Sequence, residues 1–174
     1  MLTKKAKYAL KAMAYMASFT VDDLVSGKDI SETQNIPKKF LDAILIELKN
    51  GGFVFSKKGL HGGYSLARNA DAITIGDIIR IIDGPLAPIA CASKTRYRPC
   101  EDCVDEASCQ VRRVMQEAQK ALSNVFDQMT IEQMKASPRV IKKTLVFETS
   151  LKSKAQKSKT KPKRQSAEGF PWSK

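Results

Sequence analysis

The apolar positions of the first fifty residues recur at the spacing of helix faces. Ala6, Leu10, Met13, Ala14 and Ala17 share one face of a stretch over residues 3–18, and Lys4, Lys7 and Lys11 lie mostly away from it. A polar, glycine-containing loop over 19–28 follows. A short helix over Lys28–Gln34 then meets a turn at Asn35-Ile36. Pro37 suits the first position of a second helix, where its missing N–H is not needed. Phe40, Leu41, Ile44, Leu45 and Leu48 give that helix a buried face, and Gly51-Gly52 ends it. Two short helices joined by a tight turn are a helix-turn-helix pattern.

The period then changes from helix to strand. FVFSKKGLHGGYSLAR has a run of β-formers, a turn rich in glycine (Gly59, Gly62, Gly63) and a second short run before Arg68, which predicts a β-hairpin. A hairpin directly after the second helix makes the unit a winged helix. Thr74 and Asp77 have capping-box spacing and open a short helix over Ile75–Ile82, stopped by Gly84-Pro85. Pro88, Pro99 and the lack of periodicity make the next stretch a loop. From about Asp105 a long helix begins, with Val111, Met115, Ala118, Leu122, Val125 and Met129 at heptad a/d spacing. One more short helix is expected within 138–150.

The fold class is therefore mainly α with a small β-hairpin wing, a winged helix-turn-helix plus a long dimerisation helix. The expected organisation is a DNA-binding domain over 1–84, a cysteine-rich cofactor loop over 85–104, the dimerisation helix and a C-terminal helix over 105–150, and a disordered basic tail over 151–174. The heptad positions are read as a dimer seam because a winged helix on a two-fold operator works as a dimer.

Charge sharpens this picture. The net charge is +12, with 11 Lys/Arg and 6 Asp/Glu in residues 1–68, 11 of each in 69–150, and 8 against 1 in 151–174. The tail KSKAQKSKTKPKRQSAEG adds attraction to phosphates that is independent of sequence, or serves only to keep the chain soluble. No stretch approaches the roughly 18 apolar residues of a membrane span. The lysines within the N-terminal apolar stretch argue against a signal peptide, so the expected location is cytoplasmic and no membrane partner is expected.

Four cysteines, Cys91, Cys100, Cys103 and Cys109, fall within nineteen residues, and the rest of the 174-residue chain has none. Grouped thiols in a reducing compartment point to a metal, an iron–sulfur cluster or a redox switch. Four thiolates suit tetrahedral zinc or an iron–sulfur cluster, and spacing alone does not separate them. Arg96, Arg98, Arg112 and Arg113 lie nearby and favour thiolates.

The candidate DNA-reading residues are Lys38, Lys39 and Asp42 at the start of the second helix of the motif, and Lys57, Lys58 and His61 at the wing tip. A recognition helix meets base edges near its N-terminal end, and a basic, glycine-rich tip can approach the backbone or a minor groove. The expected partner is double-stranded DNA. No phosphate loop, acid pair or nucleophile–histidine pairing marks an enzyme, and no small-molecule substrate is expected.

With the wing joined to the cysteines, the chain resembles the Rrf-two family of bacterial transcription regulators, with members of the IscR, NsrR, RirA and CymR types. LTKKAKYALKAM, IPKKFLDAILIELKNGGFVFSKKGLHGGYSLAR, AITIGDIIRIIDG and the cysteine loop leading into RRVMQEAQKAL carry the likeness, over roughly residues 2–128. The resemblance implies a homodimeric regulator, read here as a repressor. It senses redox state, iron or nitric oxide through a [2Fe-2S] or [4Fe-4S] cluster. It places ligands at Cys91, Cys103 and Cys109, the last two at the family's spacing; the interval from Cys91 to Cys103 is longer than usual in the family, so that Cys100 either replaces Cys103 or joins it. The fourth ligand departs from the pattern: Arg112 stands where IscR-like members have histidine, and Lys7 where some NsrR-like members have aspartate, which leaves Cys100. Lys58 occupies the place of a wing arginine and lacks its planar fork. The alternative is a cluster-free, CymR-like regulator or interaction protein acting through a partner protein.

Overall fold

The computed structural model describes residues 2–20, 22–59 and 61–135. The helix expected within 138–150 and the tail over 151–174 lie outside the described residues. Helices α1 (Lys4–Met16), α2 (Gly27–Gln34) and α3 (Lys38–Asn50) come first. The antiparallel hairpin β1 (Val54–Lys57) and β2 (Gly63–Leu66) follows, then α4 (Ile75–Ile82), α5 (Gln110–Gln128) and α6 (Ile131–Lys135). Single 3-10 turns occupy Ala70–Ala72 and Ala90–Ala92.

α1 is the central post, packed against α2, α3, α4, α6 and β2. Ala6, Ala9, Ala12 and Met13 are fully buried on it. Leu10 and Ala14, expected on the buried face, are only half-buried; the packed stripe is rotated toward Ala9, Ala12 and Met16, where the two alanines let neighbouring helices approach closely. Thr3 caps the helix, accepting from the Ala6 N–H at 3.1 Å. The core also takes Ile30 and Ile36 from α2 and its turn, Leu41, Ile44, Leu45 and Leu48 from α3, and Ile73 and Ile78.

The helix-turn-helix forms as its sequence predicts. Ser26 caps α2 through the Asp29 N–H at 3.0 Å. Asn35 takes the left-handed conformation, φ 50°, that turns the chain into α3. Two details differ. Pro37 is the cap residue, and α3 starts one residue later at Lys38. Phe40 is 55% exposed, not core. With Leu41, Ile44, Leu45 and Leu48 facing inward, a residue one step before Leu41 is turned about 100° off that face. Phe40 instead packs edge-on against Tyr8, with centroids 6.3 Å apart.

The hairpin pairs Val54 with Leu66 and Lys57 with Gly63. Val25 adds a bridge to Tyr64. At the tip, a side chain on Gly62 would run into the Lys57 carbonyl, so only glycine closes this turn.

The capping box of α4 is complete: Thr74 Oγ1 accepts from the Asp77 N–H at 3.1 Å, and the Asp77 carboxylate accepts from the Thr74 N–H at 3.2 Å. α5 begins at Gln110 and not near Asp105. The reason is local. The Asp105 carboxylate accepts the N–H groups of Ala107 and Ser108 at 2.9 and 3.2 Å, holding a turn where the helix would otherwise start. Met129, the last expected heptad position, lies just past the helix, and its carbonyl accepts from the Ile75 N–H at 2.8 Å.

After α5 the chain returns to the first core. The Ile131 N–H donates to Ile73 O at 2.9 Å, and the Ile131 side chain is fully buried among the core residues of α1 to α4. Lys135 Nζ donates to Ala17 O at 2.7 Å. α6 was not foreseen from the sequence. It makes the cysteine loop and α5 an excursion between two parts of one packed unit.

Candidate nucleic-acid interface and cysteine centre

α3 and the wing face one another across a cleft of about 450 Å³. Leu45, Ile46 and Lys49 line it from α3, and Lys57, Lys58 and Tyr64 from the hairpin. Lys38 and Asp42 meet each other one turn apart, Lys38 Nζ to Asp42 Oδ1 at 2.8 Å. Lys39 is exposed beside them, and Lys57, Lys58 and His61 are exposed at the wing. Lys38 takes only Oδ1 of the part-exposed Asp42 carboxylate, whose remaining lone pairs can still accept from a cytosine amine. Lys49, absent from the sequence-derived set, is the α3 lysine that joins Lys57 and Lys58 in lining the cleft. Its signal was its place two turns along the same helix from Asp42.

A helix-turn-helix whose second helix and glycine-rich hairpin enclose a lysine-lined cleft defines a winged-helix DNA-binding protein.

The cysteine loop is ordered by a different kind of contact. Cys91 sits in the buried turn Ala90–Ala92, and Cys100, Cys103 and Cys109 are partly exposed. Cys103 Sγ and Cys109 Sγ are 3.7 Å apart. Cys109 is also the N-cap of α5, its sulfur accepting from the Arg112 N–H at 3.4 Å. Burial, with the nearby Cys100 and Glu106, pushes the Cys91 thiol up. Hydrogen bonds with the Cys100 and Cys109 sulfurs push Cys103 up to about 12. The Arg112 N–H, with Cys103, holds Cys109 below the ordinary thiol value.

Arg112 and Glu106 fasten these sulfurs in place. Arg112 Nε donates to Cys91 O at 3.0 Å, and its Nη1 donates to Glu106 O at 3.4 Å. Glu106 accepts from the Cys100 N–H at 2.5 Å and from Tyr97 Oη at 2.8 Å. Its carboxylate lies 3.5 Å from Arg112 Nε. The Cys100 N–H and the Tyr97 hydroxyl hold Glu106 below the usual carboxylate range. One arginine–glutamate pair therefore touches the backbone of Cys91 and Cys100, and the backbone of the same arginine caps onto Cys109. The sequence showed the charge of Arg112 but not this use of it, and gave no sign of Glu106.

Sulfur donors suit zinc or an iron–sulfur cluster. Two thiolates on one tetrahedral zinc stand about 3.8 Å apart, given Zn–S bonds of about 2.3 Å, and the Cys103–Cys109 pair matches that separation. Cys100 adjoins the pair through Cys103, while Cys91 stays in its buried turn. Among the described residues, no group of three or more His, Cys, Asp or Glu side chains is arranged to hold a metal ion as it stands. The donor chemistry of the four cysteines fits a sulfur-bound group, and the cysteines beyond the Cys103–Cys109 pair must shift for all four to share one. When bound, an iron–sulfur cluster would supply redox-active iron at the start of α5. His61, on the wing, is not among the sulfurs.

The family model described as Rrf2, iron-dependent transcriptional regulator, matches residues 2–137. The chain belongs to the Rrf2 family. It is 39% identical over 140 residues to an rrf2-like HTH-type transcriptional regulator of Rhodobacter capsulatus, covering 79% of this chain and 93% of that one. It is 32% identical over 130 residues to protein rrf2 of Nitratidesulfovibrio vulgaris, covering 75% and 83%. Among solved structures it is similar to CymR, the global cysteine regulator of B. subtilis, at TM-score 0.64 and 31% identity, covering 78% and 96%. T. potens IscR matches at TM-score 0.60 and 27% identity, covering 77% and 85%. The chain is an Rrf2-type DNA-binding transcriptional regulator and not an enzyme. Among the described residues no helix is long and apolar enough to cross a membrane.

Proposed function

We propose that the chain acts in the cytoplasm as a homodimeric repressor that reads double-stranded DNA with α3 and the wing. It senses redox state, iron or nitric oxide through an iron–sulfur cluster on Cys91, Cys100, Cys103 and Cys109. Residues 1–84 read DNA, 85–104 together with Cys109 hold the cofactor, and 105–150 carry the dimer helix. Lys38, Lys39, Asp42, Lys57, Lys58 and His61 are the DNA contacts.

The observation that carries the sensing role is the double duty of Cys109. The sulfur proposed as a ligand is also the cap of α5, so gain or loss of the group changes how that helix begins. The dimer role is supported by Val111, Val114, Leu122 and Val125, which stand 60%, 58%, 41% and 41% exposed along α5. The test is iron, zinc and sulfide content with a visible spectrum on protein purified without oxygen, followed by binding to genomic fragments before and after iron removal. Iron with matching sulfide, and an operator affinity that changes on its removal, is the expected result. Cys109→Ser should lose the bound iron.

A second reading, a cluster-free regulator working through a partner protein, draws support from the likeness to B. subtilis CymR. Protein free of both iron and zinc would favour it.

A further inference from the structure

We propose that Cys103 and Cys109, when free of metal, are a reaction site for hydroperoxides and close to an intramolecular disulfide. This goes beyond cluster sensing and does not require it. The two sulfurs are 3.7 Å apart and both are partly exposed. A disulfide bond is about 2.05 Å long, so closure asks for less than about 2 Å of approach.

The five residues between them hold the ends together. The Asp105 carboxylate accepts from the Ala107 and Ser108 N–H groups, and Ser108 Oγ donates to Asp105 O at 3.3 Å, folding the segment back on itself. The competing partner for Cys103 is Cys100. Its sulfur also hydrogen-bonds Cys103, but its backbone N–H is held by the Glu106 carboxylate at 2.5 Å, so closure with it must strain that bond.

The chemistry balances in two steps. One sulfur attacks the hydroperoxide, the O–O bond breaks, and water or an alcohol leaves, giving a sulfenic acid. The second sulfur attacks the first, the S–O bond breaks and water leaves. Two thiols are oxidised by two electrons, the peroxide is reduced, and both thiol protons end in the oxygen products. Closure takes Cys109 Sγ away from the Arg112 N–H, so the first turn of α5 loses its cap.

The experiment uses the full chain, reduced and stripped of metal by a chelator under argon, then exposed to hydrogen peroxide. Cleavage after Glu101 and Glu106 parts Cys103 from Cys109, and both from Cys91 and Cys100. The expected result is loss of two thiols per protomer, a Cys103–Cys109 cross-linked peptide, and no covalent dimer. Cys100→Ser should keep the cross-link, Cys103→Ser should abolish it, and Asp105→Ala should slow closure several-fold. A Cys100–Cys103 link, a link between protomers, sulfinic acid without a cross-link, or no thiol loss would each overturn the proposal. Iron and sulfide content before stripping reports separately on the cluster reading.

Discussion

Between Lys4 and Ile82, four elements pack against α1, and Met13, Ile30, Ile44, Leu45, Leu48 and Ile78 are buried almost completely. Between Gly84 and Cys109, only Cys91, Ala92 and Ser93 are buried. The first region holds its shape by removing apolar surface from water, a term that does not respond to oxidants or metals. The second holds its shape with a few charge-assisted hydrogen bonds centred on Arg112 and Glu106, which a ligand, an oxidant or a proton can replace. A stable winged-helix core and a labile cysteine loop thus follow from two kinds of interaction in one compact unit.

Four substitutions separate the two regions experimentally. Leu45→Ala should have the largest effect, destabilising the chain by about 2–5 kcal/mol as a core truncation, with the loss visible in chemical denaturation. Arg112→Ala should leave the denaturation midpoint nearly unchanged while weakening metal or cluster retention by about 10–100-fold, as loss of ligand-supporting contacts does. Equal effects of both substitutions on stability would remove the distinction between the regions. Lys58→Ala should spare fold and cofactor alike and weaken operator binding, lowering the log–log salt slope by about 0.9 if it contacts one phosphate. An unchanged slope would take Lys58 off the DNA.

The smallest effect concerns pH. The folded-state pKa of Glu106 is lowered. Its contribution is therefore complete above the ordinary glutamate value and is lost as pH falls through the lowered one. Thiol alkylation of the loop should accelerate across that acidic range in the parent, after correction for the intrinsic pH dependence. Glu106→Gln should flatten the change.

The same contrast explains what could be read in the sequence. The capping box and Gly84-Pro85 gave α4 its observed bounds, Ile75–Ile82; periodicity placed α2 and α3 within a residue or two, because burial imposes a repeating pattern. It misassigned Phe40, since an aromatic residue beside a packed stripe looks like part of it. It missed α6, five residues long with only Ile131 fully buried, too short to show a period. The clustering of the cysteines was legible. Their fastening was not, because Glu106 and Arg112 act through backbone groups of Cys91 and Cys100, which carry no side-chain signature. Lys49 was passed over because only the folded hairpin brings Lys57 and Lys58 across the cleft from it.

The return of α6 to the first core has a consequence for how the chain is made. Ile131 fills a place among helices that were synthesised some fifty residues earlier or more. As the N-terminal part leaves the ribosome first, it must wait with that place open until α5 has followed. A nascent chain stopped after Ile82 would expose the gap, so the cysteine segment is translated before the winged helix can finish folding.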